Sequence, residues 1–350
     1  MQRSIQAVLC LCTLTTLAFA QGPGFGPGGP GGRGRRGRDD APPPKLEQFT
    51  YEQGSFQSSK SKVGMEPGYG IFLPKGYADE ANKDTRYPWV VWLHGFGGFG
   101  EFAGGGGAEV LDQLRKDDKI PPMVMVVFRA PGMRTTYLNG EQAGDIEDLI
   151  VGDLIDNLQK KYRLQTEREH RALMGVSMGG FGALKIAMHH PEVFGAVAVH
   201  SAAILPTDPN DVPQRFQPQL QRMRRTLTDV FGDPIDKAKW AHEMPLGLAA
   251  AAKPDEWKSL RIYFDAGTKD NYGLCEPNEQ LDKVMTEKGI AHLFRKVEGG
   301  GHAWSSPKMK ECLQSSLQFV GACVTGKDPM PKGDAAGDAA KKPADAGAGK

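Results

Sequence analysis

A serine flanked by two glycines is the residue in this 350-residue chain best suited to chemistry. Gly175-Val176-Ser177-Met178-Gly179 has the G-x-S-x-G pattern, which gains specificity when a strand precedes it and a helix follows. Both are predicted here, from the apolar run at 172–174 and the glycine-rich helical segment that starts at Met178. A sharp turn would expose the Ser177 hydroxyl at a helix N-terminus, where developing negative charge is stabilised. The alternative is a turn with a purely structural role.

A base must lie near Ser177, because a serine hydroxyl becomes a good nucleophile only when its proton is removed. His302, in Gly299-Gly300-Gly301-His302, follows the last predicted strand and precedes the last predicted helix. When G-x-S-x-G forms such a turn, the chain order is serine, acid, histidine, and His302 fits it. His200, at the end of the strand after the nucleophile helix, is the rival. We prefer His302 and interpret His200 as a packed or pocket-edge residue.

The acid is expected on the loop after the strand predicted at 261–264. Asp265 ends that strand directly, whereas Asp270 lies beyond a glycine-containing turn. We prefer Asp270, since that turn would bring it back toward His302, and we interpret Asp265 as a turn-forming or supporting carboxylate. The acid would hold the imidazole tautomer and stabilise the imidazolium without taking the proton itself.

Backbone amides are the predicted stabilisers of a negatively charged oxygen in the reaction. The loop His94-Gly95-Phe96-Gly97-Gly98 closes the strand at 89–93. In strand-turn-helix hydrolases this loop and the residue after the nucleophile supply the two N–H donors. We therefore assign the oxyanion hole to the amides of Phe96 and Met178, with Gly97 as the alternative to Phe96. The glycine run at 104–107 indicates either mobility near the site or a loose loop, and the sequence leaves both open.

The elements that position these residues alternate between short apolar runs and amphipathic stretches. Strands are predicted at 69–73, 89–93, 123–128, 171–176, 196–199, 261–264 and 292–297, and helices at 145–162, 178–189 and 307–320. This alternation predicts the α/β class, with a mostly parallel central sheet flanked by helices. Residues 203–259 interrupt it with prolines, arginines and scattered apolar residues. We interpret them as a partly helical insertion able to act as a lid.

Both ends of the chain differ in composition from the segment between them. Residues 1–20 have a positive start, an apolar run too short to span a bilayer and a small-residue cleavage site, which predicts a signal peptide cleaved after Ala20 and a secreted or periplasmic protein. An uncleaved anchor is the alternative. Residues 21–45, rich in Gly, Pro and Arg, predict a disordered linker, and 326–350 a disordered low-complexity tail. One domain is expected at 46–325, with no membrane-spanning segment in the mature chain.

The net charge, the cysteine count and the histidine spacing indicate what the chain is not built to bind or to cross-link. The formal net charge is +1, so no electrostatic preference for nucleic acid is visible. The mature chain keeps Cys275, Cys312 and Cys323, which allow at most one internal disulfide. His189 and His190 are adjacent at a predicted helix end, where we expect them to be exposed. No residues have metal-ligand spacing, and no metal or cofactor is implied.

The region 171–202 resembles the esterase family related to esterase D. The resemblance rests on the core Gly-Val-Ser-Met-Gly-Gly-Phe-Gly-Ala-Leu and the tail His-Pro-Glu-Val-Phe-Gly-Ala-Val-Ala. Tyr137-Leu138-Asn139-Gly140, Gly267-Thr268-Lys269-Asp270 and Gly300-Gly301-His302 follow in the family's order, so that about 87–320 is covered. The family includes S-formylglutathione hydrolases, feruloyl and acetylxylan esterases and mycolyltransferases. The resemblance implies the α/β-hydrolase fold, with Ser177, Asp270 and His302 as triad and the Phe96 and Met178 amides as oxyanion hole.

These observations together predict a secreted serine esterase that forms an acyl-enzyme. Its expected substrates are small or carbohydrate-linked acyl esters, although 203–259 shows no family pattern and leaves the ester open. A serine peptidase of the prolyl oligopeptidase type and an acyltransferase are the enzymatic alternatives. A catalytically inactive surface-binding protein is the alternative from another class.

Overall fold

The apolar runs of the sequence form one eight-stranded sheet in the computed structural model. The structure describes residues 45–330, except 63, 65, 132–135, 143, 254 and 305. The predicted signal peptide, the linker up to residue 44 and the tail beyond residue 330 lie outside the described residues. The strands are β1 (Phe49–Ser55), β2 (Gly68–Pro74), β3 (Trp89–Leu93), β4 (Val124–Arg129), β5 (Arg171–Val176), β6 (Ala196–His200), β7 (Arg261–Gly267) and β8 (Leu293–Val297).

The sheet is mostly parallel, as predicted. Its strand order is β1-β2-β4-β3-β5-β6-β7-β8, in which only β1 with β2 and β2 with β4 pair antiparallel among the strands of this sheet. The central strands read as continuous apolar runs because helices cover both faces. In the parallel register Leu93 pairs with Gly175, Val176 with His200, and His200 with Asp265. The carboxyl ends of these strands therefore meet at one edge, where the candidate site lies.

Helices cover both faces of the sheet. They are α1 (Gly100–Gly104), α2 (Gly107–Lys116), α3 (Ile146–Asp148, a π turn at Leu149–Leu154, then Ile155–Lys161), α4 (Met178–His189), α5 (Gln217–Arg222), α6 (Arg224–Phe231), α7 (Lys237–Glu243), α8 (Pro245–Ala251), α9 (Cys275–Glu287) and α10 (Pro307–Cys323). The glycine run at 104–107 marks the boundary between α1 and α2, where Gly106 has a φ of 95°. None of the described helices is long and apolar enough to cross a membrane.

The insertion at 203–259 is partly helical, as predicted, and contains α5 to α8. Its buried apolar side chains, including Phe231 and Trp240, form a separate small core with Phe181 of α4. This core covers the edge of the sheet at which the carboxyl ends of the parallel strands meet. Outside the insertion, strand β1 and helices α1, α2 and α9 are elements that the sequence analysis did not predict.

Candidate active site

Ser177 occupies a strained turn between β5 and α4. Its φ of 56° and ψ of −118° are uncommon for a residue with a side chain, and such strain persists only where the surroundings enforce it. The Ser177 N–H donates to the His200 carbonyl at 2.9 Å. A Cβ on Gly179 would lie 1.9 Å from the Leu93 carbonyl oxygen, so only glycine lets α4 approach the end of β3 so closely. The strand-turn-helix context predicted for the motif is present.

His302 and Asp270 form a hydrogen-bonded pair beside this turn. The distance from His302 Nδ1 to Asp270 Oδ2 is 2.7 Å, and the Tyr272 N–H donates to Asp270 Oδ1 at 2.8 Å. The Asp270 side chain is fully buried, whereas that of His302 is 20% exposed. The Trp304 indole N–H donates to the Gly105 carbonyl at 2.8 Å, which fixes the His302 loop against the start of α2. A carboxylate bound at Nδ1 orients the imidazole and directs its proton transfer to Nε2.

The rival residues His200 and Asp265 are paired with each other. His200 Nδ1 lies 2.8 Å from Asp265 Oδ2, and His200 Nε2 lies 2.9 Å from Ser316 Oγ. These three residues are wholly buried, at 1% exposure or less. The group has the residue types of a catalytic triad, but a substrate has no access to it. His200 is a packed residue, as the sequence analysis expected.

The predicted oxyanion loop lies directly against the serine. A Cβ on Gly95 would be 3.2 Å from Ser177 Cβ. The N–H groups of Phe96 and Met178 have no hydrogen-bond acceptor among the described residues, and both residues line the same cavity as Ser177. The Tyr137 hydroxyl donates to the His94 carbonyl at 2.8 Å and so fixes the base of the loop. Two free amides are thus available beside the hydroxyl.

One cavity of about 710 Å³ brings these groups together. Ser177, His302, Phe96 and Met178 lie on its wall, and Asp270 lies behind His302. Apolar side chains of the insertion form much of the remaining wall, among them Phe216, Leu220, Met223, Leu227, Phe231, Trp240 and Met244. A mostly apolar cavity with a few convergent polar groups is typical of a small-molecule site.

The sequence of this chain is similar to those of known esterases. Residues 60–311 match the model of the family described as "Putative esterase". The chain belongs to this esterase family. An endo-1,4-beta-xylanase/feruloyl esterase of Xylanibacter ruminicola is 30% identical over 132 residues, which cover 36% of this chain and 18% of that protein. An esterase of Mycobacterium tuberculosis is 23% identical over 262 residues, which cover 70% of this chain and 54% of that protein.

A solved structure supports the fold of this family member. A ferulic acid esterase superposes with a TM-score of 0.63 at 24% identity, covering 79% of this chain and 100% of its own. Similarity at this level shows the α/β-hydrolase fold, which confirms the predicted fold class. The matched regions make up about half or less of the curated relatives' length, at 18% and 54%.

Glu101 is a residue of the site that the sequence analysis missed. Its side chain lines the cavity and accepts a hydrogen bond from the Gly95 N–H at 2.6 Å. Burial raises the pKa of this carboxyl to about 7, although the Gly95 hydrogen bond and the electrostatic interaction with His302 act in the opposite direction. The only signal in the sequence is an acid placed directly after a glycine-rich loop.

A second cluster of charged residues lies outside the cavity, around the buried Lys185. The ammonium group contacts carboxylate oxygens of Glu147 and Glu243, and the Glu243 contact is 2.9 Å. His189 and His190 contact the other Glu147 oxygen at 2.9 and 3.1 Å. Both histidines are partly buried, so the expectation that they are exposed is wrong. Ligand atoms of Glu147, His189 and Glu243 lie within 4.8 Å of one another, but the Lys185 ammonium already contacts both carboxylates.

The three cysteines of the domain are free thiols in the structure. Cys312 and Cys323 are buried, and Cys275 is partly exposed. Burial raises the pKa of both Cys312 and Cys323 to about 12 and that of Cys275 to about 11. A thiol with a raised pKa is a poor nucleophile at neutral pH. These residues therefore do not compete with Ser177.

Proposed function

We propose that this protein hydrolyses carboxylic esters, with Ser177 as nucleophile, His302 as general acid and base, and Asp270 as the residue that orients His302. One observation carries the proposal: a serine on a strained turn and a carboxylate-bound histidine face the same apolar cavity. Acyl transfer by a serine requires both the nucleophile and a base that takes its proton. The activity of the esterase family supports this assignment.

The reaction proceeds through an acyl-enzyme. His302 Nε2 takes the hydroxyl proton as Ser177 Oγ bonds to the ester carbonyl carbon, and the carbonyl electron pair moves to its oxygen. The amides of Phe96 and Met178 donate to that oxyanion. When the pair returns, the ester C–O bond breaks and the leaving alkoxide receives the proton from His302. Water then attacks the acyl-enzyme by the same route, which releases the acid and restores Ser177.

The shape of the cavity supports a bulky apolar acyl group. Its volume of about 710 Å³ is much larger than an acetyl group, and its wall is mostly aromatic and aliphatic. One relative has feruloyl esterase in its name. This supports a substrate with an aromatic acyl group that is linked to a small alcohol or a carbohydrate. The signal-peptide pattern at 1–20 supports secretion, where such esters would be met.

Replacement of the nucleophile tests the proposal. The variant Ser177→Ala should lose hydrolysis of p-nitrophenyl esters by on the order of 10⁶-fold in kcat. Wild-type protein should be labelled by a fluorophosphonate probe at Ser177, and the variant should not be labelled. Ser315→Ala changes a serine on α10 that does not line the cavity and serves as the matched control. Turnover by Ser177→Ala at the wild-type rate would refute the mechanism, and an unlabelled wild-type protein would favour the surface-binding alternative.

A further inference from the structure

The Glu101 carboxylate lies under the loop that carries the proposed oxyanion amide. One oxygen, Oε2, accepts the Gly95 N–H at 2.6 Å. The other side of the carboxyl packs against Gly97, where a Cβ would lie 3.0 Å from both Cδ and Oε1. Gly95 is itself buried and touches the nucleophile turn. Glu101 therefore contacts the loop on both sides of Phe96.

The loop is rich in glycine. Gly95, Gly97, Gly98 and Gly100 leave its backbone with few intrinsic conformational limits. Two backbone hydrogen bonds close it, from the Gly98 N–H to the Gly95 carbonyl at 3.2 Å and from the Glu101 N–H to the Gly98 carbonyl at 3.0 Å. The Glu101 carboxylate adds a side-chain acceptor to these backbone bonds, because it accepts the Gly95 N–H. Loss of that acceptor would leave the buried Gly95 N–H unpaired, which the loop would relieve by moving.

We propose that Glu101 is a positioning residue, which holds the Gly95 amide and thereby aims the neighbouring Phe96 amide at the oxyanion. The inference rests on the proposed hydrolytic function, because it concerns the geometry of the same site. An oxyanion hole accelerates the reaction only while its donors already point to the place where charge develops. A carboxylate in an apolar cavity has a desolvation cost, and the hydrogen bond from the Gly95 amide offsets part of it.

Three substitutions of Glu101 distinguish the effect of losing the hydrogen-bond acceptor from the effect of losing the charge and from an effect on folding. Glu101→Gln keeps a carbonyl oxygen at the same reach but removes the charge. Glu101→Asn has the same amide one methylene shorter, so it does not reach the Gly95 N–H. Glu101→Leu keeps approximate size and removes the acceptor. Glu109→Leu on the exposed face of α2 is the matched control, since Glu109 does not line the cavity.

The experiment measures kcat and KM with a p-nitrophenyl ester, and the urea unfolding midpoint, for each variant. Glu101→Asn and Glu101→Leu should lower kcat by about 10–100-fold, a part of the 10²–10³-fold cost of losing a donor, with little change in KM. Glu101→Gln and Glu109→Leu should stay within about threefold of wild type, far less than the loss of a donor costs. If Glu101→Leu fails to fold, the comparison of Glu101→Asn with Glu101→Gln decides the question alone.

Two results would overturn the inference. Equal loss of kcat in Glu101→Gln and Glu101→Asn would assign the effect to charge, and unchanged kcat in Glu101→Asn would show that the acceptor is dispensable. Neither result affects the proposed function, which is tested separately by Ser177→Ala in the same assay. An active Ser177→Ala would instead remove the proposed function and leave the Glu101 comparison without its premise.

Discussion

Two aspartates near the end of β7 each pair with a histidine, and the exposure of that histidine differs between the two pairs. Asp265 is wholly buried against His200, which is itself buried. Asp270 is equally buried, but its partner His302 is partly exposed in the cavity. A carboxylate orients a catalytic imidazole only where that imidazole can reach a substrate.

Substitution of each aspartate should therefore affect a different property. Asp270→Asn should lower kcat by about 10⁴-fold while the fold is kept, because the tautomer of His302 is no longer fixed. Asp265→Asn should lower the free energy of unfolding by about 1–3 kcal/mol, since it disrupts a buried hydrogen-bonded pair. Ester hydrolysis and urea unfolding of both variants measure the two effects. The opposite pattern would move the acid to Asp265.

The raised pKa of Glu101 should be visible in the pH dependence of stability. Its pKa is about 7 in the folded protein, compared with an ordinary value of 4.5. Between these pH values the folded state binds more protons than the unfolded chain, so this residue makes stability fall as pH rises. Glu101→Gln removes that contribution. The free energy of unfolding of the variant, relative to that of wild type, should therefore increase by at most about 3 kcal/mol as pH rises from 4.5 to 7. Urea unfolding across that range measures the difference, and a pH-independent difference would contradict the assignment.

At the scale of elements, the Lys185 cluster connects three helices. Lys185 belongs to the nucleophile helix α4, Glu147 to α3 and Glu243 to α7 of the insertion. Burial alone would raise the pKa of Glu147, but hydrogen bonds from His189 and His190 and the charge of Lys185 hold it well below its ordinary value. The cluster thus fixes the insertion to the helix that carries Ser177 at its start.

Removal of the buried ammonium should be costly because two carboxylates lose their partner. Lys185→Met should lower the free energy of unfolding by about 3–5 kcal/mol, as for other broken buried ion pairs. Lys296→Met is the control, since its exposed pair with Glu279 is screened by water and should leave the unfolding midpoint nearly unchanged. Equal effects of the two substitutions would mean that the cluster adds no stability.

At the scale of the whole molecule, the cavity is a product of distant parts of the chain. The oxyanion loop, the insertion and the loops that carry Asp270 and His302 each supply a part of the wall. The insertion contributes most of the large apolar side chains, so it should set the size of the acyl group that fits. The proposed catalytic groups and the apolar wall that would select the acyl group therefore lie on different segments.

A substitution on the cavity face of α5 tests this division. Leu220→Trp should lower kcat/KM for a feruloyl ester on the order of 10-fold or more and spare an acetyl ester, because it occupies acyl space without touching Ser177. Gln221→Trp, on the other face of the same helix, is the matched control. A uniform loss for both esters would place the effect on the catalytic groups instead.

The sequence alone predicted every strand of the main sheet except β1, the helices α3, α4 and α10, and the residues of the proposed triad and oxyanion hole. Strand β3, strand β5 and helix α4 have the predicted bounds, because continuous apolar runs between glycine-rich turns have few alternative structures. The serine turn was predictable for the same local reason, since its glycines are required within a few residues of Ser177. The pairing of His302 with Asp270 follows from strand order, as both loops leave the same edge of the sheet.

Only the tertiary structure decided what depends on contacts distant in sequence. The sequence could not show that Glu101 turns back to Gly95, or that Lys185 lies between Glu147 and Glu243. It likewise could not give the cavity volume, because that is set by how α5 to α7 pack over the sheet edge. Local patterns specify elements through short-range sterics and periodicity. The partner of a charged side chain and the space between elements are set by three-dimensional packing.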